Sequence, residues 1–382
     1  MKPSIVFLGS QIAVGGAQRM LMLQADWFHR QGYSVWAVFF YDRDGLYDQW
    51  RTEVDFPLLN LDGWSRDGFL IVNLWRLMRA LWYLWRLLHR NRITVVETFT
   101  PDSDLLGLPV AFLANVPIRV GCYQGVIREM AAWRTWLHTW LTNSRLTTRF
   151  VAVSTQMVDI ALKAGIRAPK IVMIPNAVEV PTPEDEIRLR ALRAPLRREL
   201  GVPEDGVMLF SAGRLSEEKG HRYLLNALPP VLDACPNTVC VLAGDGYLRS
   251  ELERQAHSLG IEKRVRFLGV RHDVLALLRA ADLYVLPSLA EGLSLAMLEA
   301  MVAALPLVAT RVQGATDVIL SGKNGILVPI GNSDALAQEL ISLICQPETW
   351  DVLGQAARRT VLESYTIDKI ARQYEQLFFQ SE

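Results

Sequence analysis

Short runs of apolar, often β-branched residues alternate along this chain with longer amphipathic stretches, and the alternation occurs in both halves. Runs of this kind have the character of buried strands, and the stretches between them have the spacing of helices. The predicted strands are Ser4–Ser10, Tyr33–Phe40, Ile93–Phe99, Ile118–Tyr123, Phe150–Val153, Ile171–Ile174, Val207–Ala212, Val239–Ala243, Val265–Leu268, Leu283–Leu286, Leu307–Ala309 and Ile326–Val328. Such a pattern predicts an α/β protein with two doubly wound parallel sheets, whose domains we expect to face each other across a cleft.

The length of the chain agrees with two domains, since 382 residues exceed what one core usually organises. Residues 181–206 are rich in proline and charge and poor in β-branched residues, which predicts a linker with at most one short helix. We therefore expect an N-terminal domain over 1–180 and a C-terminal domain over 207–365. Residues 366–382 are expected to form a helix that crosses back to the N-terminal domain.

Composition excludes several classes of protein. Lys and Arg number 40 and so do Asp and Glu, so the chain lacks the basic excess of a nucleic-acid binder. Its 4 cysteines have neither paired nor metal-ligand spacing, which favours reduced thiols in a cytoplasmic protein over a disulfide scaffold or a zinc site. The uncharged run at 3–18 is too short and too polar to span a bilayer.

Two glycine-containing loops are candidate phosphate sites. Gly15 and Gly16 separate the first predicted strand from a helix, where they let a ligand approach the backbone or merely form a turn. The chain has no GxGxxG motif, which argues against a dinucleotide-dependent dehydrogenase. The second loop, from Gly213 to Gly220, contains Arg214 and Lys219, two cations that can grip a diphosphate or simply be solvated.

Two glutamates follow a later predicted strand. Glu291 lies in the loop at that strand's carboxyl end, where ligands bind in such folds. Glu299 lies in an otherwise apolar helix that starts near Ser294, and a carboxylate there needs hydrogen-bond donors. Ribose hydroxyls would serve as those donors, and so would a structural partner such as a backbone N–H.

Together these motifs resemble the retaining glycosyltransferase family 4, which has the GT-B fold. The resemblance rests on the Gly-Arg-Leu-x4-Gly loop with its lysine, on the spacing of Glu291 and Glu299, and on these further segments: Gly15-Gly16, Ile174-Pro175-Asn176, Ala243-Gly244-Asp245-Gly246 and Gly325-Ile326-Leu327-Val328-Pro329. It implies two Rossmann-like domains and a metal-independent enzyme that needs no cofactor. Such an enzyme transfers a sugar from a nucleotide-diphosphate sugar to an acceptor bound by the N-terminal domain.

The resemblance also implies roles for individual residues. Arg214 and Lys219 match the pair that holds the diphosphate and stabilises it as leaving group. Glu291 matches the residue that contacts the donor sugar, and Glu299 the residue that binds ribose. The other donor-side matches are Gly15, Gly16, Gly213, Val270, Arg271, Gly292, Leu293, Ser294 and Leu295, with Val270 and Arg271 beside the base and Gly292 to Leu295 presenting N–H groups to phosphate.

The chain departs from the family on the acceptor side. Many members have a histidine there, but the corresponding stretches around Thr100 and Gln124 contain none, so these two residues become the acceptor-side candidates. Asp317 stands where the family usually has a glutamate. These departures leave open an alternative, a glycosyltransferase-like subunit that has lost turnover and acts as a scaffold in a membrane glycan assembly.

A stretch rich in tryptophan and arginine bears on the chemical class of the acceptor. Residues 74–92 contain no acidic residue. On a helix four arginines would lie on one side, and tryptophans and leucines would occupy the rest of the surface; the arginines are Arg76, Arg79, Arg86 and Arg90. A second stretch, 131–149, is similar. Either these are ordinary helices with solvated arginines, or they bind an anionic membrane surface. The second interpretation predicts a peripheral protein on the inner face of the membrane and a lipid-linked or saccharide acceptor.

Overall fold

The computed structural model describes residues 2–65, 68–123 and 131–379. Every strand predicted from the sequence is present in it, with small shifts at the ends. The strands are β1 (Ser4–Ile12), β2 (Ser34–Asp42), β3 (Leu58–Asn60), β4 (Val95–Thr98), β5 (Ile118–Tyr123), β6 (Arg149–Ala152), β7 (Ile171–Met173), β8 (Val207–Ala212), β9 (Thr238–Ala243), β10 (Val265–Phe267), β11 (Leu283–Leu286), β12 (Leu307–Thr310) and β13 (Ile326–Val328).

Helices lie between most of these strands, as the amphipathic stretches predict. They are α1 (Gly16–Arg30), α2 (Tyr47–Thr52), α3 (Leu70–Arg90), α4 (Pro101–Leu113), α5 (Ala132–Asn143), α6 (Thr155–Lys163), α7 (Pro183–Ala191), α8 (Arg193–Glu199), α9 (His221–Ala234), α10 (Arg249–Ser258), α11 (Val274–Ala280), α12 (Leu295–Val302), α13 (Gln313–Thr316), α14 (Ser333–Ile344), α15 (Trp350–Ser364) and α16 (Ile367–Phe379).

The first sheet is parallel throughout, with the strand order β3-β2-β1-β4-β5-β6-β7. Its central strands are apolar because helices cover both faces, and Ile5 to Leu8 of β1 are fully buried. The order of the strands reverses between β1 and β4. In open α/β sheets a ligand site forms at the carboxyl ends of the strands, beside such a reversal.

The second sheet is also parallel and has the order β10-β9-β8-β11-β12-β13. Here the reversal lies between β8 and β11. The main core of this sheet packs α9 and α14 against its strands, with Leu228 of α9 and Leu340 of α14 both fully buried beside Leu209 of β8.

The chain divides into two compact units by its internal contacts. Residues up to Ala177, together with α16, form the first unit, and Val178–Thr366 form the second. Helix α16 packs on α1, where the Trp27 indole donates a hydrogen bond to Asp368 at 2.8 Å and the Phe28 and Phe378 rings lie 5.6 Å apart. Helix α16, although last in the sequence, therefore belongs to the first unit.

Residues 181–206 are part of the second unit rather than a free linker. They contain two helices, α7 and α8, and two arginines of α8 form ion pairs with Asp282 at the start of β11, Arg193 at 2.5 Å and Arg197 at 2.7 Å. Charge therefore anchors this segment, whereas apolar periodicity is weak in it. The short strand β3 was not predicted; it is a three-residue edge strand that pairs with β2.

No helix within the described ranges combines the length and apolar character that crossing a bilayer requires.

Candidate functional site

The loops that follow β8 and β11 meet at the carboxyl edge of the second sheet, beside its reversal of strand order. Arg214 and Lys219 lie in the first of these loops, and Glu291 lies in the second. The backbone N–H of Leu289 donates to the carbonyl of Glu218 at 2.8 Å, which joins the two loops. The structure thus brings the predicted diphosphate and sugar contacts to the place where this fold binds ligands.

Glycines allow these loops to pack backbone against backbone. Gly220 has a φ of +64°, and a Cβ added there would lie 2.1 Å from the carbonyl oxygen of Pro287. Gly244 has a φ of +134°, and its Cβ would lie 1.9 Å from the carbonyl oxygen of Gly213. Any side chain at either position would push the loops apart. The spacing of glycines in the motifs therefore has a structural cause at the site.

Lys219 and Glu291 form a nearly buried ion pair. The Lys219 Nζ lies 2.6 Å from Glu291 Oε1, and the Ser288 hydroxyl donates to the same oxygen at 2.8 Å. The side chain of Glu291 is 9% exposed and that of Lys219 is 25% exposed. An ammonium has three N–H donors, so this pair leaves Lys219 donors for another anion.

Arg214 lies near Lys219 in sequence but differs from it in its surroundings. Its side chain is exposed. Within the described residues its guanidinium makes no ion pair and donates no hydrogen bond. One cation of the predicted diphosphate grip is therefore held in place by a carboxylate, and the other is available to a ligand with all five of its donors.

Glu299 is buried in the second turn of α12, close to Glu291. Both carboxylates lie near the fully buried Tyr284 of β11. Burial raises the pKa of the Tyr284 phenol far above its ordinary value, and the negative charges of Glu291 and Glu299 act in the same direction. The phenol therefore stays protonated near the two carboxylates.

The N-terminus of α12 adds backbone donors. The hydroxyl of Ser294 accepts a hydrogen bond from the N–H of Met297 at 3.3 Å and so caps this helix. The first N–H groups of a helix have no partner within it and favour an anion. The predicted backbone positions in this turn are all buried: Gly292, Leu293, Ser294 and Leu295.

The predicted base-contacting loop follows β10. Val270 is exposed there, while Arg271 is engaged by carboxylates. The Arg271 guanidinium donates to both oxygens of Asp273, at 2.7 and 2.6 Å, and lies 3.7 Å from Glu199. These contacts, led by the hydrogen bond that Arg271 donates to Asp273, raise the pKa of Arg271. Its side chain thus shapes the loop, and the backbone and Val270 remain for a ligand.

His221 is a residue of this site that sequence reasoning missed. It is the first residue of α9, directly after Gly220, and it is buried. Burial, together with the charge of Lys219, lowers its pKa to about 4, so the imidazole is neutral at physiological pH. Within the described residues Nδ1 has no hydrogen-bond partner. Nothing in the spacing of the histidines indicated this placement.

The first unit places its predicted residues at the carboxyl edge of its own sheet. Gly15 is the N-cap of α1 and Gly16 is its first residue, after β1. Thr100 follows β4 and caps α4, accepting a hydrogen bond from the N–H of Ser103 at 3.3 Å. The Thr100 hydroxyl is therefore part of a helix cap. Gln124 lies outside the described residues.

A histidine does lie next to this edge, although the predicted stretches contain none. The His138 Nε2 of α5 is 2.7 Å from an Asp104 carboxylate oxygen, and Thr98 at the end of β4 donates to the other oxygen at 2.5 Å. All three side chains are fully buried. His138 and Asp104 lie on different helices, so only the fold brings them together.

Glu97, beside Thr98 in β4, is buried completely, and that burial raises its pKa well above the ordinary value of 4.5. The Gln24 amide of α1 lies beside it and acts in the opposite direction. In the second unit Asp317, expected in place of the family's glutamate, ends α13 and is exposed. Across the described residues no group of three or more His, Cys, Asp or Glu side chains is placed to hold a metal ion.

Two family models match the chain, one in each half. The model described as "Glycosyltransferase Family 4" matches residues 14–180, and the model described as "Glycosyl transferases group 1" matches residues 193–360. The second match contains the Arg214, Lys219, Glu291 and Glu299 positions. These matches confirm the family that the sequence motifs resemble.

Curated relatives are glycosyltransferases. An Escherichia coli "UDP-Gal:alpha-D-GlcNAc-diphosphoundecaprenol alpha-1,3-galactosyltransferase" is 27% identical over 300 residues, which are 76% of each chain. An "N-acetyl-alpha-D-glucosaminyl L-malate synthase" of Bacillus anthracis is 31% identical over 184 residues, or 48% of each chain. The chain thus spans about half of the length of that second relative.

Solved structures agree on the fold. HepE of Anabaena, in complex with UDP-glucose, has a TM-score of 0.85 and 22% identity, covering 99% of this chain and 100% of its own. The likeness confirms the GT-B fold predicted from the sequence.

Proposed function

This chain belongs to the group 1 glycosyltransferases of family 4, and from that premise we propose that it transfers a sugar from a nucleotide-diphosphate sugar to a lipid-linked saccharide or polysaccharide precursor. The proposal includes retention of the anomeric configuration and catalysis without a metal ion. It also includes work at the inner face of the membrane, to which the protein binds peripherally.

The observation that carries the proposal is the unequal pair of cations at the reversal of the second sheet. Lys219 is positioned by Glu291, and the Arg214 guanidinium forms no ion pair or hydrogen bond with the described residues. As the sugar–phosphate bond breaks, negative charge develops on the departing diphosphate. Two cations in place before the reaction stabilise that charge. A divalent metal ion has the same role in other transferases.

The remaining polar groups suit the rest of the donor. Glu291, held by Lys219 and Ser288, has a second carboxylate oxygen for a sugar hydroxyl. Glu299 in α12 offers acceptors to the ribose hydroxyls, and the N–H groups at the start of α12 face anionic oxygens. Together they would bind the donor along the carboxyl edge of one unit.

Retention follows if the acceptor attacks from the side that the diphosphate leaves. The departing phosphate oxygen can then take the acceptor's proton, so no separate base is needed. This route agrees with the helix-capping role of Thr100 and with the buried pairing of His138 to Asp104, neither of which is an exposed base.

A lipid-linked acceptor is supported by the outer side of α3. Its buried side is formed by Ala80, Leu84 and Leu88, and much of the helix surface away from that side is apolar and exposed. The exposed residues at this apex are Ile71, Leu74, Trp75, Met78, Trp82 and Trp85. A helix that is apolar on both sides needs a second apolar medium, and Trp at its surface is typical of a bilayer interface.

The arginines of α3 lie along one border of this apex. Arg76 and Arg79 both lie next to Asp62, at 3.5 and 3.0 Å, and are half-buried. The Arg79 and Arg86 guanidinium groups stack on the rings of Trp75 and Trp82, at 5.0 and 5.2 Å. We therefore assign the larger part of membrane binding to insertion of the apolar apex, with Arg86 and Arg90 contributing charge.

A transfer assay tests the proposal. The purified chain is incubated with UDP-, GDP- or ADP-sugars, with and without a bacterial lipid extract, and release of nucleoside diphosphate and labelling of lipid are followed. We expect one donor to be consumed and Arg214→Ala to lose about 10²–10³-fold in rate. If a donor binds but is neither transferred nor hydrolysed, the chain is the scaffold subunit. If no donor binds, the assignment of the site is wrong.

A further inference from the structure

The loop from Asn143 to Thr148, after α5, is held by cationic side chains at every one of its carbonyl groups. Arg167 donates to Asn143, Lys170 to Ser144 and Thr147, Arg119 to Arg145 and Leu146, and Arg149 to Thr148. The donors come from the beginnings of β5 and β6 and from the segments that precede β7. This loop therefore lies at the amino-terminal edge of the first sheet, opposite to the Thr100 edge.

We name the five cations here, Arg119, Arg145, Arg149, Arg167 and Lys170, the cationic collar. Within the described parts of the chain none of them forms an ion pair with a carboxylate. Burial lowers the pKa of Lys170, and the positive charges of Arg167, Arg149 and Arg119 lower it further. Lys170 thus lies among like charges.

A structural role accounts for only part of this arrangement. Cations near the C-terminus of a helix are favourable, and here they also satisfy carbonyls that would lack partners. Carbonyl dipoles do not cancel five net charges, however. Arg145 and Arg149 are exposed and contribute little to holding the loop. Of its carbonyls Arg149 reaches only the neighbouring one, that of Thr148. Like charges placed close together repel one another, and a bound anion would relieve that repulsion.

Exposed apolar side chains border the collar on both sides. On one side, Arg119 lies 5.4 Å from the ring of Phe112, at the exposed end of α4. On the other, Trp136 and Trp140 of α5 are exposed and line an open cavity of about 360 Å³ that reaches Ser144. Helix α4 packs against both α3 and α5, so this border continues the helical layer that carries the apolar apex of α3.

We propose that the cationic collar is a second membrane contact, which binds the phosphate headgroups of anionic lipids while Trp136, Trp140 and Phe112 lie at the depth of the headgroups. Unbalanced cations beside exposed indole rings are the chemistry of an anionic bilayer surface. This inference rests on the proposed function, in which the acceptor is linked to a membrane lipid. Its physical basis is independent of catalysis, because the collar lies at the edge of the sheet that bears no predicted site residue.

A charge-removal variant tests the collar. Arg145→Gln, Arg149→Gln and Arg167→Gln are combined, and Arg119 and Lys170 are kept because each of them donates to two carbonyls of the loop. The matched control removes three exposed cations of the second unit, Arg254→Gln, Lys263→Gln and Arg359→Gln. Binding to vesicles of phosphatidylcholine alone, and of phosphatidylcholine with phosphatidylglycerol, is measured by co-sedimentation, and thermal unfolding checks that both variants are folded.

The collar variant should lose about 100-fold in affinity for the anionic vesicles, since each cation near such a surface is worth about a fivefold change. The control should change less than about threefold, and binding to neutral vesicles should be the same in all three proteins. Equal binding of the collar variant and the wild type to anionic vesicles would overturn the proposal. Release of the wild type by millimolar inorganic phosphate, beyond the effect of chloride at equal ionic strength, would also overturn it in favour of a small-anion site.

Donor hydrolysis separates this inference from the proposed function. The collar variant should hydrolyse donor in solution as the wild type does, because no residue of the donor site is altered. If neither protein turns over any donor, the proposed activity fails while the vesicle result still decides the role of the collar.

Discussion

Replacement of Lys219 by Met should damage both stability and turnover, and the structure gives the size of each effect. Methionine keeps the apolar stem but removes the ammonium that lies 2.6 Å from Glu291. Among the described residues Glu291 then keeps only the Ser288 hydroxyl as a donor. Loss of one partner of a fully buried pair costs about 3–5 kcal/mol, and because the Lys219 side chain is 25% exposed we expect about 2 kcal/mol.

The effect on turnover should be about 10²–10³-fold, the usual loss when one stabiliser of a developing anion is removed. Arg214→Ala is the matched control. It should lose turnover to a similar degree, but its free energy of unfolding should stay within about 0.5 kcal/mol of the wild type, since its exposed guanidinium forms no ion pair or hydrogen bond with the described residues. Urea unfolding and donor turnover are measured on the same preparations.

Adding Glu291→Gln to Lys219→Met separates the two effects. A neutral amide needs no counter-charge, so the double variant should regain most of the lost stability and none of the lost activity. The reasoning is refuted if Lys219→Met unfolds at the same urea concentration as the wild type, or if Arg214→Ala is destabilised as strongly as Lys219→Met.

Three further predictions concern other parts of the molecule. Glu299→Gln should weaken nucleotide binding about tenfold by calorimetry while the melting temperature without ligand changes little; a large drop in that temperature would make Glu299 a structural residue. Trp75→Ser, Met78→Ser and Trp82→Ser together should abolish sedimentation with neutral vesicles, and retained binding would exclude the apex of α3 as the inserted surface. Because burial raises the pKa of Glu97 above 4.5, the folded state binds its proton more tightly than the unfolded state, so stability should fall as pH rises from 4.5 through the raised pKa. Glu97→Gln should remove that part of the slope in urea unfolding measured from pH 5 to pH 8, and an unchanged slope would contradict it.

Sequence patterns predicted the elements whose stability depends on apolar burial. Every long strand is buried on both faces, so its apolar run is visible in the sequence. Strand β3 has three residues and a single neighbour, which is too little for a pattern. The sequence predicts a linker over 181–206 because ion pairs, which leave no periodic signal, attach its two helices. Arginines of α8 pair with Asp282, and Glu186 of α7 pairs with Arg279 and Arg358.

Motifs predicted the donor-side residues but not their partners. Two features depend on how the loops after β8 and β11 meet. They are the hydrogen bond from Ser288 to Glu291 and the neutral imidazole of His221 beside Lys219. The pairing of His138 with Asp104 joins two helices that are adjacent only in the fold. The apolar apex of α3 was visible as an unusually wide apolar arc, but only the structure shows that two of its arginines are paired with Asp62.

Calorimetric titration of nucleoside diphosphates tests the central claim most directly. The wild type, Arg214→Ala and the control Arg254→Ala are titrated with UDP, GDP and ADP and with the corresponding nucleosides. We expect one diphosphate to bind and Arg214→Ala to weaken its binding about 10–100-fold, while Arg254→Ala does not. The affinity for the corresponding nucleoside should be the same in all three proteins. Equal affinity of the wild type and Arg214→Ala for that diphosphate, or no binding of any of the three, would contradict the claim.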